Sequence, residues 1–359
     1  MHAMMKWTAA AAATLGALSG AANATTVVYV SNADSRTISV MRLNEETGKL
    51  SSIQDVPVSG MVMPLTVSPD RRYLFAALRS KPYSVASFRI GAGDGMLTPV
   101  ATSPLPESMA NLSTDKTGRF LFAASYGGNL ISESRIGDDG VVAPANIVIP
   151  TKPKAHAIKT DPSNRWLFAT NLGGDIVMQL RFDATTGAIT PNDPPTLNFA
   201  NQAGPRHFTF APNGRVVYIV DELDGKLERA AFDPDRGTLA IRQVVSAVPA
   251  GFTGTPWAAD VHTTPDGRYL YASERTSSTV IAYRIDGQDG NLTTIGQYST
   301  ETQPRAFAID SSGRYLLSAG QLSNAVSVHR IDPDTGALKL QGSYLVGKNP
   351  SWVEIVDVN

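Results

Sequence analysis

The chain has 359 residues, is 42% hydrophobic and carries a formal net charge of −1. That is enough apolar material for one large β domain or two ordinary ones, and no basic surface invites nucleic acid or an anionic membrane. Cysteine is absent, which excludes a thiol nucleophile, a cysteine zinc site, an iron–sulfur cluster and any disulfide.

The first 24 residues differ from the rest. Lys6 supplies a short positive start, "TAAAAATLGALSG" an apolar stretch, and Ala22-Asn23-Ala24 small residues at both recognition positions before a cut. This pattern predicts a secretory signal peptide cleaved after Ala24, hence a periplasmic or secreted protein. The apolar run is too short, and too rich in alanine and glycine, to span a membrane. No linker or break in composition divides residues 25–359, which are expected to form one domain with no membrane span.

Two signals then recur along the chain. The first is a turn with a central glycine, as in "ETGKL", "GDGML" and "DTGAL". Its seven copies place Gly48, Gly95, Gly140, Gly187, Gly237, Gly290 and Gly336 at intervals of 45 to 53 residues. Glycine enters the positive-φ region without steric cost, which such turns require. The second is a polar turn before an apolar strand, as in "PDRRYLFAAL" and "TPDGRYLYAS", with Arg72, Arg119, Arg165, Arg215, Arg268 and Arg314 in phase. These arginines are expected to be structural, closing a turn or covering a neighbouring strand with their stems.

Each period holds four short strands, the blade of a β-propeller. From the channel outward they are a ("PRHFTFAP"), b ("RYLFAAL"), c ("SVASFRI") and d ("GMLTPV"). Residue 25 opens a b strand, "TTVVYVSN", with no a strand before it. The missing strand stands at the far end, "PSWVEIVDV". The prediction is an all-β, seven-bladed propeller whose first blade is closed by the C-terminal strand, a closure that removes an exposed sheet edge.

Antiparallel neighbours place the starts of the a strands and the ends of the b strands on one rim. That rim collects irregular polar residues: His156, Arg206, His207 and Arg305 from a strands, Arg79, Asn171, Glu222, Arg275 and Gln321 from b strands, and Trp257 beside them. It is the natural ligand mouth of such a ring. Strict alternation allows only one of the neighbours Arg206 and His207 to face the channel, and Arg206 is the expected one. Asp221 should face away from Glu222, and His262 lies late in its strand, near the opposite rim. The sequence holds no H-x-H, H-E-x-x-H or G-x-S-x-G motif, so neither a metal site nor a hydrolase triad is predicted.

The segments "AGPRHFTFAPNGRVVYIVDELDGKL" and "WAADVHTTPDGRYLYASERTSSTV" resemble the propeller-type 6-phosphogluconolactonases along essentially the whole of residues 25–359. The wider family is also similar to the fungal carboxy-muconate lactonizing enzyme, whose proposed site matches His156, Arg206, Glu222 and Arg275 by motif. The resemblance implies hydrolysis of a sugar δ-lactone without a cofactor. In that reading Glu222 and His156 act as base and acid, in either order, and Arg206 and Arg275 hold the oxyanion. His207, Arg305, Gln321, Asn171, Trp257 and Arg79 are then expected to contact substrate. The substrate is expected to be 6-phosphoglucono-1,5-lactone or, since an export signal takes the chain away from mostly intracellular sugar phosphates, unphosphorylated glucono-1,5-lactone. A mouth with several arginines suits a phosphate or a carboxylate equally and does not choose between them. The competing readings are a binding propeller without catalysis and a muconate-type lactonizing enzyme.

Overall fold

In a computed structural model, residues 25–358 are described, together with Met1. The expected signal peptide lies outside the described residues. Twenty-eight strands form seven four-stranded antiparallel sheets. In chain order, blade 1 begins with β1 (Thr25–Asn32), β2 (Thr37–Leu43) and β3 (Leu50–Pro57), and blade 2 is β4 (Val62–Val67), β5 (Tyr73–Leu78), β6 (Ser84–Ile90) and β7 (Leu97–Pro104). Blade 3 is β8 (Asn111–Thr114), β9 (Phe120–Ser125), β10 (Leu130–Arg135) and β11 (Ile147–Pro150). Blade 4 is β12 (Ala155–Thr160), β13 (Trp166–Asn171), β14 (Ile176–Phe182) and β15 (Ile189–Asn198). Blade 5 is β16 (Pro205–Phe210), β17 (Val216–Asp221), β18 (Lys226–Asp233) and β19 (Thr238–Ser246). Blade 6 is β20 (Ala258–Thr263), β21 (Tyr269–Glu274), β22 (Thr279–Ile285) and β23 (Leu292–Ser299). Blade 7 is β24 (Pro304–Ile309), β25 (Tyr315–Gly320), β26 (Ala325–Ile331) and β27 (Leu338–Leu345). The last strand, β28 (Pro350–Val358), returns to blade 1.

The ring closes as the sequence predicts. β28 pairs antiparallel with β1, from Thr25 opposite Val358 to Asn32 opposite Pro350. The b strands are continuous apolar runs because blades cover both of their faces. "YLFAAL" in β5 and "YLYASE" in β21 are buried at every position. The outermost strands are largely exposed, β3 and β7 being buried at only two positions each, because one face meets water.

The two repeat signals are halves of one contact between neighbouring blades. The residue after each turn arginine, aromatic in five of the six and Val216 in the other, packs on the glycine turn of the next blade. A Cβ on Gly237 would lie 2.1 Å from the Trp166 ring, and one on Gly187 2.5 Å from Phe120. The Trp166 indole N–H and the Arg165 guanidinium both donate to the Pro234 carbonyl in that same turn, each at 2.9 Å. Arg72 reaches Asp138 O, and Arg119 reaches Ala184 O, in the same way. Four of the six regular arginines, Arg72, Arg119, Arg165 and Arg314, therefore tie blade to blade in phase with the glycines.

Candidate functional site

The a strands begin with bulges. In blade 5, Pro205 sits opposite Asp221 but His207 sits opposite Val220, so Arg206 is an extra residue. The same shift falls between Val62 and Leu65, Ala155 and Ile158, Ala258 and Val261, and Pro304 and Ala306. A bulge re-aims side chains that alternation would separate. Arg206 turns to the Glu222 carboxylate and His207 to the channel below it, which reverses the expectation that Arg206 would be the one of the two facing the channel.

Side chains from a b strand and from the neighbouring a strand β8 satisfy backbone near the bulge of β12. The Thr170 hydroxyl accepts the Ala157 N–H at 2.9 Å and donates to Arg206 O at 2.6 Å. It links the segment carrying His156 to the one carrying Arg206. Asn111 Oδ1 accepts the Ile158 N–H at 3.1 Å on the other side.

At the mouth, a cavity of about 260 Å³ is lined by Arg79, Ala110, Tyr126, His156, Glu222, Trp257, Arg275 and Arg305. Glu222 follows β17, its N–H anchored to Gly204 O at 2.8 Å. One carboxylate oxygen, Oε2, accepts from Arg206 Nε at 2.9 Å and from Arg275 Nη2 at 2.6 Å. Arg275 also donates through Nε to Trp257 O at 3.0 Å, and its guanidinium lies 4.0 Å over the Trp257 ring. Arg305 makes no hydrogen bond or ion pair within the described residues, although its side chain lines the cavity. Arg79 has only Ser108 Oγ at 2.9 Å and Met63 Sδ at 3.1 Å.

Four guanidiniums thus gather at the mouth around one carboxylate that bonds only two of them. Burial pushes Arg305 well below the ordinary arginine range, and the guanidiniums of Arg206, Arg275 and Arg79 push it further. Burial, then Arg206, brings Arg275 down to about 9 despite Glu222. A guanidinium gives up its proton only with great difficulty, so this crowding acts as a demand for an anion. Burial pushes Glu222 up, but Arg206 and Arg275 outweigh it and hold the carboxyl below its usual range. His156 is driven well below the ordinary histidine value by burial, then by Arg206, His207, Arg305 and Arg275. At neutral pH the mouth therefore presents an ionised glutamate and an uncharged imidazole.

Several expected contacts fall elsewhere. Arg206 is 1% exposed and stands behind Glu222, with Nη1 on Ala259 O, so it braces the carboxylate instead of lining the cavity. His207 lies beneath the mouth, in a second cavity of about 280 Å³ with Lys159, Asp260, His262, Trp352 and Glu354. Asn171 is fully buried, its amide donating to Ala169 O at 3.3 Å. Gln321 turns outward and donates to Asn349 Oδ1 at 2.8 Å. Asp221 faces away from Glu222, fully buried, as alternation predicts. The structure also adds Tyr126, whose ring stands edge-on to His156 at 6.0 Å, and Asp260, bonded to His207. A lone acid inside the apolar run "WAADVH" was the available signal for Asp260.

A propeller mouth with excess positive charge, one ionised carboxylate and one neutral imidazole defines a class: ring enzymes acting on a small, polar, hydrolysable molecule. The family described as "Lactonase, 7-bladed beta-propeller" matches residues 24–355. The 6-phosphogluconolactonase of Photorhabdus laumondii is 42% identical over 330 residues, covering 92% of this chain and 98% of that protein. The 6-phosphogluconolactonase of Serratia proteamaculans is 39% identical with the same coverage. The solved structure of the periplasmic gluconolactonase of Pseudomonas aeruginosa is similar with a TM-score of 0.88 at 27% identity, covering 93% of this chain and all of that one. The chain belongs to the seven-bladed β-propeller lactonase family.

Proposed function

We propose that the mouth cavity hydrolyses a six-membered sugar lactone, with His156 moving the proton. The observation that carries this reading is a buried, uncharged imidazole opening onto a cavity ringed by guanidiniums and one carboxylate. His156 Nε2 takes a proton from a water whose oxygen attacks the lactone carbonyl carbon. The tetrahedral intermediate collapses, the bond from that carbon to the ring oxygen breaks, and His156 returns the proton to the ring oxygen. An imidazolium among arginines is a strong acid, so the return step is downhill. Such shuttling contributes about 10²–10⁴-fold. Arg275 faces the developing oxyanion, a contribution of about 10²–10³-fold, and Arg305 is left for an anionic substituent. Glu222 is committed to two guanidiniums through Oε2 and serves mainly to aim Arg275.

The surplus of guanidiniums favours a lactone with an anionic substituent, such as 6-phosphoglucono-1,5-lactone, the substrate class in the names of the relatives near 40% identity. A second reading, unphosphorylated glucono-1,5-lactone in the periplasm, draws support from the leader-like first 24 residues and from the named activity of the Pseudomonas structure. The test is acid release by purified residues 25–359, followed with a pH indicator, on both lactones and on a muconate. The relative rates choose the substrate. Release no faster than the spontaneous rate on all three makes this a binding propeller. Loss of activity in Glu222→Gln with full activity in His156→Gln transfers the base role to Glu222.

A further inference from the structure

We infer that Asp260 and His207 are positioning residues that set which nitrogen of His156 carries its proton. Asp260 holds the His207 proton on Nδ1, His207 Nε2 accepts from His156 Nδ1, and His156 Nε2 is left bare toward the mouth. The inference rests on the reading of His156 as the proton shuttle.

The chain of constraint begins at Asp260, in the bulge that opens β20. Oδ1 accepts from His207 Nδ1 at 2.7 Å and from the Val261 N–H at 3.0 Å. Oδ2 accepts from the Phe307 N–H at 3.3 Å and lies 3.3 Å from His262 Nε2. The residue's own N–H donates to Ser273 Oγ at 3.1 Å. Two backbone N–H groups can only donate, so the carboxylate must accept from them, and the group left facing His207 is an acceptor. His207 Nδ1 therefore carries a hydrogen. Burial, Arg206 and Lys159 keep the His207 ring uncharged, with a pKa pushed down to about 3 against the pull of Asp260. An uncharged ring protonated at Nδ1 has a lone pair at Nε2.

That Nε2 is sealed from solvent and has no partner. So is His156 Nδ1, on the adjoining a strand. The two ring centroids are 5.1 Å apart, with planes at 63°. Two orphaned imidazole nitrogens thus lie on adjacent rings, and with Asp260 holding the His207 ring, a turn about the soft χ2 of His156 brings its Nδ1 toward His207 Nε2. Unmet buried polar atoms are costly, and each of these is the partner that the other lacks. None of the groups packed around the pair bonds either nitrogen. Trp352 of β28 faces His207 edge-on at 5.5 Å with its N–H given to Glu354, Tyr126 faces His156 edge-on, and Arg206 donates to Glu222 and Ala259 O. A carboxylate, an imidazole and a second imidazole then form an orienting relay of the kind seen in nucleophile triads.

The experiment is ¹⁵N NMR of histidine-labelled residues 25–359, with His156 assigned from its loss in His156→Gln, alongside pH–rate profiles on the lactone that the enzyme turns over. In the wild type, His156 is expected to carry hydrogen on Nδ1 and none on Nε2. In Asp260→Asn the amide group donates to His207, its hydrogen moves to Nε2, and His156 follows with its hydrogen on Nε2. The turnover number then falls about 10- to 100-fold with little change in KM, as when an outer orienting group is lost. Asp260→Glu restores part of it. His156 found protonated on Nε2 in the wild type, or unchanged in Asp260→Asn, overturns the relay. If Asp260→Asn does not fold, the wild-type spectrum alone decides. Full activity in His156→Gln overturns the shuttle reading instead, and with it the catalytic meaning of the relay, whatever the spectra show.

Discussion

Arg275 Nη2 lies 2.6 Å from Glu222 Oε2, and the same oxygen also receives Arg206. Removing the negative charge leaves two buried guanidiniums facing an uncharged amide. Glu222→Gln is therefore expected to lower kcat/KM by at least about 10²-fold and to cost about 3 kcal/mol of stability. The sign of the pH dependence follows from the depressed carboxyl. Its stabilisation is present above the ordinary glutamate range and is lost as pH falls through the folded value. Chemical denaturation at pH 7 and in mild acid checks this. The wild type should lose its advantage over the variant on acidification, and parallel curves would contradict the assignment.

Arg305 is the guanidinium at the mouth with no protein partner among the described residues, so an anionic substrate is expected to meet it first. Arg305→Ala should raise KM for 6-phosphoglucono-1,5-lactone by about 10-fold or more, the scale of a lost charge-assisted hydrogen bond. The effect on KM for glucono-1,5-lactone should be several-fold smaller. Equal effects on the two lactones would place Arg305 at the carbonyl oxygen and not at the substituent.

The ring could be read from sequence because its joints are printed once per period. A glycine at positive φ marks each of the seven blade junctions, an arginine followed by an apolar or aromatic side chain marks six of them, and the absent a strand before Thr25 reveals the split blade. The mouth residues were legible only as a rim, since strand direction gives height in the channel but not facing. A bulge has no fixed residue signature, so which of Arg206 and His207 faces the channel could not be foreseen. Asn171 and Gln321 stand at the predicted height yet bond to Ala169 O and Asn349, and nothing local in "FATN" or "AGQLS" separates them from Glu222.

The blade junction can be tested by a matched pair of glycines. Gly237 has φ +67° and would press a Cβ into the Trp166 ring, whereas Gly93 has φ +81° with nothing within 4 Å. Both substitutions to alanine carry the cost of a left-handed backbone, about 1–2 kcal/mol. Gly237→Ala adds an overpacking cost of about 1–3 kcal/mol. Thermal unfolding should separate the two variants by several degrees. Equal melting points would show that the Trp166 stack is not a structural joint.

Asp221 and Glu228 form a second acidic pair on the far face of blade 5. Both are buried, and neither Asp221 oxygen meets a hydrogen-bond donor. Burial raises Glu228 to about 7, and the nearby Asp224 adds to the rise against Lys226. Burial and the Glu228 charge raise Asp221 well above its ordinary value, with Asp224 and Asp175 adding to it. A raised acid binds more protons in the folded chain than in the unfolded one. Stability is therefore fullest below the unfolded carboxyl value and declines as pH rises toward about 7. Glu228→Gln supplies a donor to Asp221 and removes the repulsion. The variant should match the wild type near pH 4.5 and exceed it at pH 8 by on the order of 2 kcal/mol. Denaturant midpoints measured across that range decide it, because a difference that stays constant with pH would mean that the pair is not sharing a proton. The pair sits one residue from Glu222, so the same variant should keep its activity to higher pH wherever the loss of activity in the wild type follows local loosening of blade 5.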